Sequence, residues 1–288
     1  MKTRIPLVLT VFAAALQTIT AATDYYPSPD SQGGWRSLTA AADMKIRKVA
    51  GMDRQRLDEA FQYAQTTSQH GGLLVARHGW LVYERYYGRG NREANPDMAS
   101  CGKAFTSISC GIMLKELHDR IPNGLDEKVF TEKHLPEAFP LSDPAKADIK
   151  LGHLLAMSSG MHENSAAAYV HGERVKTNPT AVDRSLDIDR SALRESLWCK
   201  PGEGYSYASG SPHVASIVLR HLTGMGLQNY FDAKLAKPMQ FGRWGYALHR
   251  GDVRSPTPLA AEASLCDQPT LSVSPICYCT EAGTRVSS

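Results

Sequence analysis

The chain lacks several features that would assign it to common functional classes. Beyond residue 22 it has no apolar stretch of the roughly 20 residues needed to span a bilayer. It has no lysine- and arginine-rich cluster of the kind nucleic acid binding needs, and its net charge of +3 indicates no particular partner. The 10 histidines are scattered, and Cys277-x-Cys279 offers too few ligands for a metal. The sequence therefore predicts no metal, no organic cofactor, no nucleic-acid partner and no membrane span.

The first residues have the pattern of a secretion signal. Lys2 and Arg4 form a positive end, Ile5 to Leu16 is apolar, and Thr20-Ala21-Ala22 offers small residues for cleavage. We therefore expect residues 1–22 to be a signal peptide. The mature protein would then be periplasmic or secreted.

The next segments predict a helix and a hairpin. Residues 53–68 predict an amphipathic helix that Asp53 can cap. Residues 72–77 and 80–87 are β-rich, and His78-Gly79 between them suits a two-residue turn. The apolar stripe of the predicted helix consists of Leu57, Ala60, Phe61 and Ala64.

A serine and a lysine three residues apart carry the clearest chemical signal. Ser100 and Lys103 open a largely apolar, small-residue stretch that runs to Leu117 and predicts a long, buried helix. Residues three apart on a helix lie on one face, about 5–6 Å apart at Cβ. A serine nucleophile needs an adjacent base, and the positive helix N-terminus favours a neutral amine there. The alternative is an N-cap serine beside a solvated lysine, which is frequent by chance.

Two later segments support the chemical interpretation. Residues 151–161 predict a short apolar helix that ends at Gly160. Residues 201–210, Pro-Gly-Glu-Gly-Tyr-Ser-Tyr-Ala-Ser-Gly, predict a turn-rich loop that leads into a helix over 211–222. In this order the three motifs resemble the penicillin-binding-protein-like serine hydrolases, which include class C β-lactamases, D-alanyl carboxypeptidases and related esterases. The resemblance runs from about residue 71 to about residue 246.

The resemblance implies both a fold and a set of site residues. The fold is α/β, with a mostly antiparallel sheet flanked by helices and a helical subdomain between Leu117 and Ser209. Ser100 would be the acylated nucleophile and Lys103 its partner. Tyr207 would complete the base, because a phenol beside an ammonium favours its ionised form and the two groups would share one proton. Without Ser100, Tyr207 would be interpreted as a loop aromatic that covers the core.

Two positions depart from the family pattern. Ser209 stands where the family usually has asparagine at a substrate-binding position, and its hydroxyl lacks the amide fork. The third motif, Lys-Thr-Gly or His-x-Gly, is missing at its expected distance after Tyr207; His249-Arg250-Gly251 follows too soon. The strand that carries this motif usually supplies one oxyanion donor, and losing such a donor costs about 10²–10³ in rate. We therefore expect an incomplete sheet, and whether the chain turns over substrate stays open.

The composition changes abruptly near Asp252. Residues 252–288 are rich in Pro, Ser, Thr and Ala and have no helix or strand periodicity. We interpret residues 23–251 as an incomplete hydrolase domain and residues 252–288 as an irregular tail. The abrupt change favours a reading frame that shifts or ends early, and the alternative is a genuine degenerate homologue.

The sequence thus favours a serine hydrolase that acts through an acyl-enzyme on an ester, amide or lactam, with an ester as the leading substrate. The partner would be a small-molecule or peptidoglycan-type acyl substrate. The alternatives are a non-catalytic acyl- or peptidoglycan-binding homologue and an inactive truncated fragment. A plain structural domain would not explain the ordered motifs.

Overall fold

The computed structural model describes residues 25, 27–29, 32–94, 98–161, 168–176, 188–242 and 244–246. The predicted signal peptide (1–22) and tail (252–288) lie outside the described residues, so the division of the chain stays a prediction. The helices are α1 (Asp43–Ala50), α2 (Arg54–Thr67), α3 (Gly102–Glu116), α4 (Leu151–Leu155), α5 (Ile188–Arg194), α6 (Gly210–Thr223) and α7 (Leu227–Phe231). The strands are β1 (Gly71–Arg77), β2 (Trp80–Tyr87), β3 (Ala168–Val170), β4 (Glu173–Val175) and β5 (Gly204–Ser206).

Strands β1 and β2 form the predicted antiparallel hairpin. Its turn has φ angles of 50° at His78 and 73° at Gly79. Two positive φ angles suit a two-residue hairpin, because the twist of such a turn matches that of the strands. Leu38 N donates to Leu81 O at 2.8 Å, which ties the preceding segment to β2.

Helix α2 confirms the predicted amphipathic helix. Asp53 caps it by accepting a backbone N–H, and Leu57 and Phe61 are buried. Ala60, predicted on the apolar stripe, is exposed. The buried face is narrow and centred on the i, i+4 pair of large residues, so Ala60 falls at its edge. This small core contains Leu38, Ile46, Ala50, Leu57, Phe61, Val82 and Tyr83.

A second, larger core surrounds α6. The predicted helix over 211–222 is present, and 11 of the 14 residues of α6 are buried. Gly224, with φ 71°, ends the helix in the left-handed conformation. Helices α3, α4, α5 and α7 pack against α6, so this helix is the centre of the helical region.

The region between Leu117 and Ser209 is not purely helical. Its helices are accompanied by strands β3, β4 and β5, which form an antiparallel sheet in the order β4-β3-β5. Each of these strands has three residues. Such short strands show no recognisable alternation in the sequence, because a period of two needs at least four residues to be seen.

Helices α3 and α4 differ from their predicted forms. Helix α3 begins after a 3₁₀ turn at Ala99–Cys101, and it is buried on one face rather than all round. Because the exposed face up to Gly111 carries small and apolar residues in place of charged ones, the sequence shows no polar stripe that would mark it. Helix α4 ends at Leu155, several residues before the predicted stop at Gly160. The exposed residues of α3 include Ala104, Ser107, Ile108 and Gly111.

The described part of the chain contains no helix both long enough and apolar enough to cross a membrane. Cys101, Cys110 and Cys199 are free thiols there. Cys110 lies in the large core, and burial raises the pKa of its thiol to about 12.

Candidate active site

Ser100 and Lys103 lie together at the start of α3. Ser100 is exposed in the 3₁₀ turn, which is closed by a 2.9 Å hydrogen bond from Cys101 N to Met98 O. Lys103 is in the first helical turn, and its Nζ donates to Ser100 Oγ at 2.9 Å. The predicted i, i+3 contact is therefore present. At this distance a proton can pass directly between the two groups.

Tyr207, from a distant part of the chain, lies beside Lys103. It follows β5, is 40% exposed, and its ring centroid lies 4.9 Å from Lys103 Nζ. This distance is within the range of a cation–π contact. Ser209, two residues further on, is half-buried and occupies the N-cap position of α6. The structure thus brings Ser100, Lys103 and Tyr207 together, and it places Ser209 on the segment that carries Tyr207.

The tight turn of residues 157–160, which follows α4, holds the segment that carries Tyr207. Ser206 N donates to Met157 O at 3.3 Å, and Gly202 N donates to Ser158 O at 2.8 Å. Gly160 has φ 76°, and a β-carbon there would collide with the carbonyl of Cys199. Glycine is therefore required at this position by both conformation and space. Gly160, predicted to end a helix, lies instead in the turn that holds the loop of Tyr207.

A buried pair of serines extends this support into α6. Ser159 Oγ and Ser211 Oγ lie 2.9 Å apart, and both residues are almost fully buried. Ser159 Oγ also accepts from Met161 N at 3.2 Å. Buried hydroxyls need hydrogen-bond partners, and these two satisfy each other across the turn and the helix. The first turn of α6 is consequently fixed relative to the tight turn.

A charge network anchors α6 to α5. His213 Nε2 lies 2.8 Å from Asp189 Oδ1, and Arg220 Nη1 donates to Asp189 Oδ2 at 2.8 Å. Arg220 Nη2 also contacts Glu137 Oε1 at 3.3 Å, as does His221 Nε2 at 2.7 Å. Burial alone would raise the pKa of Asp189, but its bonds to His213 and Arg220 lower it to about 2. Asp189 is therefore held as a carboxylate.

A second buried cation lies against the end of α5. Lys146 is fully buried, and its Nζ donates to Leu193 O at 2.7 Å. Burial lowers the pKa of Lys146 to about 8, although the charges of Glu195 and Asp143 act in the opposite direction. The Glu195 carboxylate lies against Gly210, where a β-carbon would collide with it. Glu195 thus occupies the space at the N-terminal end of α6.

Sequence reasoning missed most of these supporting residues. His213 falls within the predicted helix over 211–222 and is buried, but its contact with Asp189 is not predicted. Asp189, Lys146 and Glu195 stand in segments without a strong pattern and are not predicted. One residue could have indicated the network in advance. Arg220 is a permanent charge within a largely apolar helix, and a partly buried charge needs a partner.

The converging groups are a hydroxyl, an amine and a phenol. This combination suits nucleophilic attack and proton transfer. Where the structure describes the chain, no group of three or more His, Cys, Asp or Glu side chains is arranged to hold a metal ion.

Comparison with known proteins identifies the family of this chain. The beta-lactamase family model matches residues 55–267. Esterase EstB of Burkholderia gladioli is 28% identical over 209 residues, which cover 66% of this chain and 51% of EstB. A candidate β-lactamase from Bacteroides dorei has a similar structure, with a TM-score of 0.54, 20% identity, and coverage of 74% of this chain and 59% of that chain. A candidate 6-aminohexanoate-dimer hydrolase from Bacillus anthracis has a TM-score of 0.50 at 18% identity, over 83% of this chain and 61% of that chain.

These likenesses carry different weight. The solved structures are too distant in sequence to show more than a shared fold, and the chain spans only about half the length of EstB. The family model matches well over half of the chain, and its range includes Ser100, Lys103 and Tyr207. The chain has the β-lactamase/transpeptidase-like fold and belongs to the beta-lactamase family of serine hydrolases.

Proposed function

We propose that this protein hydrolyses esters through an acyl-enzyme, with Ser100 as the nucleophile. The observation that carries the proposal is the position of Lys103 Nζ, 2.9 Å from Ser100 Oγ and 4.9 Å from the centroid of the Tyr207 ring. An amine in direct contact with a serine hydroxyl can take its proton, and the adjacent Tyr207 phenol is the second member of the proposed pair.

The proposed reaction has two halves. Ser100 Oγ attacks the carbonyl carbon of the ester, and its proton passes to the Lys103–Tyr207 pair. The bond to the leaving alcohol breaks as the pair returns that proton to the alcohol oxygen. Water then attacks the acyl-enzyme, the pair takes a proton from the water and returns it to Ser100, and the carboxylic acid leaves. No oxidant, reductant or cofactor enters this sequence.

Two observations support an ester rather than a lactam. Ser209 replaces the amide side chain that the resembled family usually has beside its substrate, so the donor and acceptor fork is absent. EstB, the curated relative at 28% identity, is named as an esterase. The alternative is a homologue that binds acyl ligands reversibly without reacting.

Covalent labelling tests the nucleophile. A fluorophosphonate should modify the 288-residue protein at Ser100, and peptide mass spectrometry would locate the adduct. Labelling should disappear in Ser100→Ala and persist in Ser107→Ala, a matched control because Ser107 is an exposed serine on α3. An adduct elsewhere, or unchanged labelling of Ser100→Ala, would remove Ser100 from the reaction.

A comparison of acyl donors tests the substrate class. 4-Nitrophenyl acetate should release nitrophenolate and leave an acetyl group on Ser100, whereas a chromogenic cephalosporin should react far more slowly. Reversible binding of both compounds without an adduct would favour the non-catalytic alternative. Cephalosporin opening at a rate equal to ester cleavage would overturn the substrate assignment.

A further inference from the structure

Strand β5 and the two residues after it alternate strictly between buried and exposed positions. Gly204, Ser206 and Ala208 are buried, whereas Tyr205 is 43% exposed and Tyr207 is 40% exposed. Alternate residues of an extended chain point to the same side. Tyr205 and Tyr207 therefore project from the same side of this segment, and Tyr207 is the member next to Lys103.

A third tyrosine lies beside them on the neighbouring strand. Tyr169 of β3 is the direct cross-strand partner of Tyr205, and the two ring centroids are 6.4 Å apart with an angle of 38° between the planes. Tyr169 is 36% exposed, while the next pair, Ala168 and Ser206, is buried. We call Tyr169, Tyr205 and Tyr207 the tyrosine row. It begins at Tyr207, beside Lys103, and continues through Tyr205 to Tyr169 on the neighbouring strand.

Packing within the sheet accounts for the contact between Tyr169 and Tyr205, but it does not require the exposed face. A cross-strand aromatic pair stabilises a sheet whichever face it occupies. Here the pair lies on the exposed face, while the opposite face carries Ala168, Val170, Gly204 and Ser206. Three exposed tyrosines in continuity with a reactive serine form a surface on which a flat, apolar group can stack.

The contact between Tyr207 and Lys103 indicates which part of a substrate would lie on the tyrosine row. In the proposed reaction, Tyr207 and Lys103 return a proton to the leaving oxygen, so that oxygen must come within hydrogen-bond reach of the pair. The group attached to the leaving oxygen then lies near Tyr207. Tyr205 and Tyr169 continue the row from there. The acyl group, which becomes bonded to Ser100 Oγ, lies on the opposite side of the breaking bond from the leaving group.

We propose that the tyrosine row binds a planar aromatic leaving group, so that the preferred substrates are esters of aromatic alcohols. This inference rests on the proposed function and adds the substrate class to it. On cleavage, the bond between the acyl carbon and the alcohol oxygen breaks, the proton of Ser100 goes to that oxygen, and the aromatic alcohol leaves from the row.

Equilibrium binding tests the row without requiring turnover. Benzyl acetate and cyclohexylmethyl acetate have leaving groups of similar size, but only the first is planar. In the Ser100→Ala variant of the 288-residue protein, NMR titration should show tighter binding of benzyl acetate. Tyr205→Leu or Tyr169→Leu in that background should weaken its binding about 3- to 10-fold, in the range of one aromatic contact. Binding of cyclohexylmethyl acetate should change less than about twofold, since its ring cannot stack.

Kinetics separate stacking from a merely structural role of the tyrosines. In the parent background, Tyr205→Leu should raise KM for benzyl acetate while leaving kcat nearly unchanged, and Tyr205→Phe should restore the parent KM. A structural role would instead lower kcat for both acetates alike. Ethyl phenylacetate, which carries its ring on the acyl side, should be insensitive to Tyr205→Leu.

The outcomes distinguish the two proposals. Selective binding of benzyl acetate without any Ser100 adduct would overturn the proposed function and leave the row as a binding surface. Ester cleavage with equal affinity for the two acetates, or losses confined to ethyl phenylacetate, would overturn the row and leave the proposed function standing.

Discussion

The two helices that carry the candidate site differ in how they are held. Helix α6, which follows Tyr207, is buried on nearly every side and is tied down by Asp189 and Ser159. Helix α3, which follows Ser100, buries one face and exposes the other, including Ile108 at 45%. The two helices are 14 and 15 residues long, so helix length does not explain the difference.

The comparison shows that the two halves of the site are fixed by different means. Tyr207 is positioned from outside its own segment, through the tight turn, the serine pair and the charge network. Ser100 and Lys103 are positioned by one helical turn and by their own 2.9 Å contact. A local device of this kind needs little tertiary support, because residues three apart on a helix meet wherever the helix forms.

The largest expected effect comes from breaking the contact between the two halves. Lys103→Ala and Tyr207→Phe should each slow fluorophosphonate labelling of Ser100 by about 10²–10⁴-fold, the usual range for general acid–base catalysis. The double variant should lose far less than the product, because groups that act as a unit are non-additive. Lys115→Ala, at the exposed far end of α3, is the matched control and should label at the parent rate. Fully multiplicative losses would mean that Lys103 and Tyr207 act independently.

The second prediction tests the difference in burial between α6 and α3. Ile217 in α6 is fully buried and Ile108 in α3 is 45% exposed, so the same substitution can be made in both helices. Ile217→Ala should lower the free energy of unfolding by about 2–5 kcal/mol, through lost burial and the cavity left behind. Ile108→Ala should change it by less than about 0.5 kcal/mol, as surface substitutions usually do. Urea denaturation measures both values. Equal losses would show that the outer face of α3 is covered in solution.

The same contrast explains how far the sequence could predict this site. Ser100 and Lys103 are close in sequence, so their spacing alone predicts their contact. Tyr207 is distant, and it is found only because its loop carries a recognisable Pro-Gly-x-x-Tyr-x-Tyr pattern. The hairpin and helices α2 and α6 are also predicted, since turn residues and apolar periodicity are local signals.

What the sequence does not predict depends on contacts between distant segments. Asp189 and Arg220 meet only when α5 packs on α6, and neither segment shows that pairing by itself. Strands β3 and β5 are too short to show alternation, so the contact between Tyr169 and Tyr205 is visible only in the structure. The sequence does not predict the exposed face of α3, because alanine, glycine and serine occupy buried and exposed helical positions alike.

The smallest expected effect concerns the buried cation of Lys146. Lys103 is partly exposed at the site, whereas Lys146 is fully buried and bonded to Leu193 O. Burial lowers the pKa of Lys146 to about 8 in the folded protein, and a lysine in an unfolded chain has a pKa of about 10.4. Between these two values the unfolded chain binds more protons, so the contribution of this group to stability must rise with pH.

Comparing the parent with Lys146→Met isolates that contribution. Cys110 opposes it, because burial raises the pKa of its thiol to about 12 and favours unfolding as pH rises. The measured quantity is therefore the difference in free energy of unfolding between parent and variant, taken from urea denaturation at pH 7 and pH 10. Relative to Lys146→Met, the parent should gain on the order of 2 kcal/mol over this interval.

Lys45→Met, at an exposed position on α1, should show no such change relative to the parent. A difference that stays constant with pH would mean that Lys146 keeps its proton in the folded protein throughout, and that its neighbours fully stabilise the buried charge.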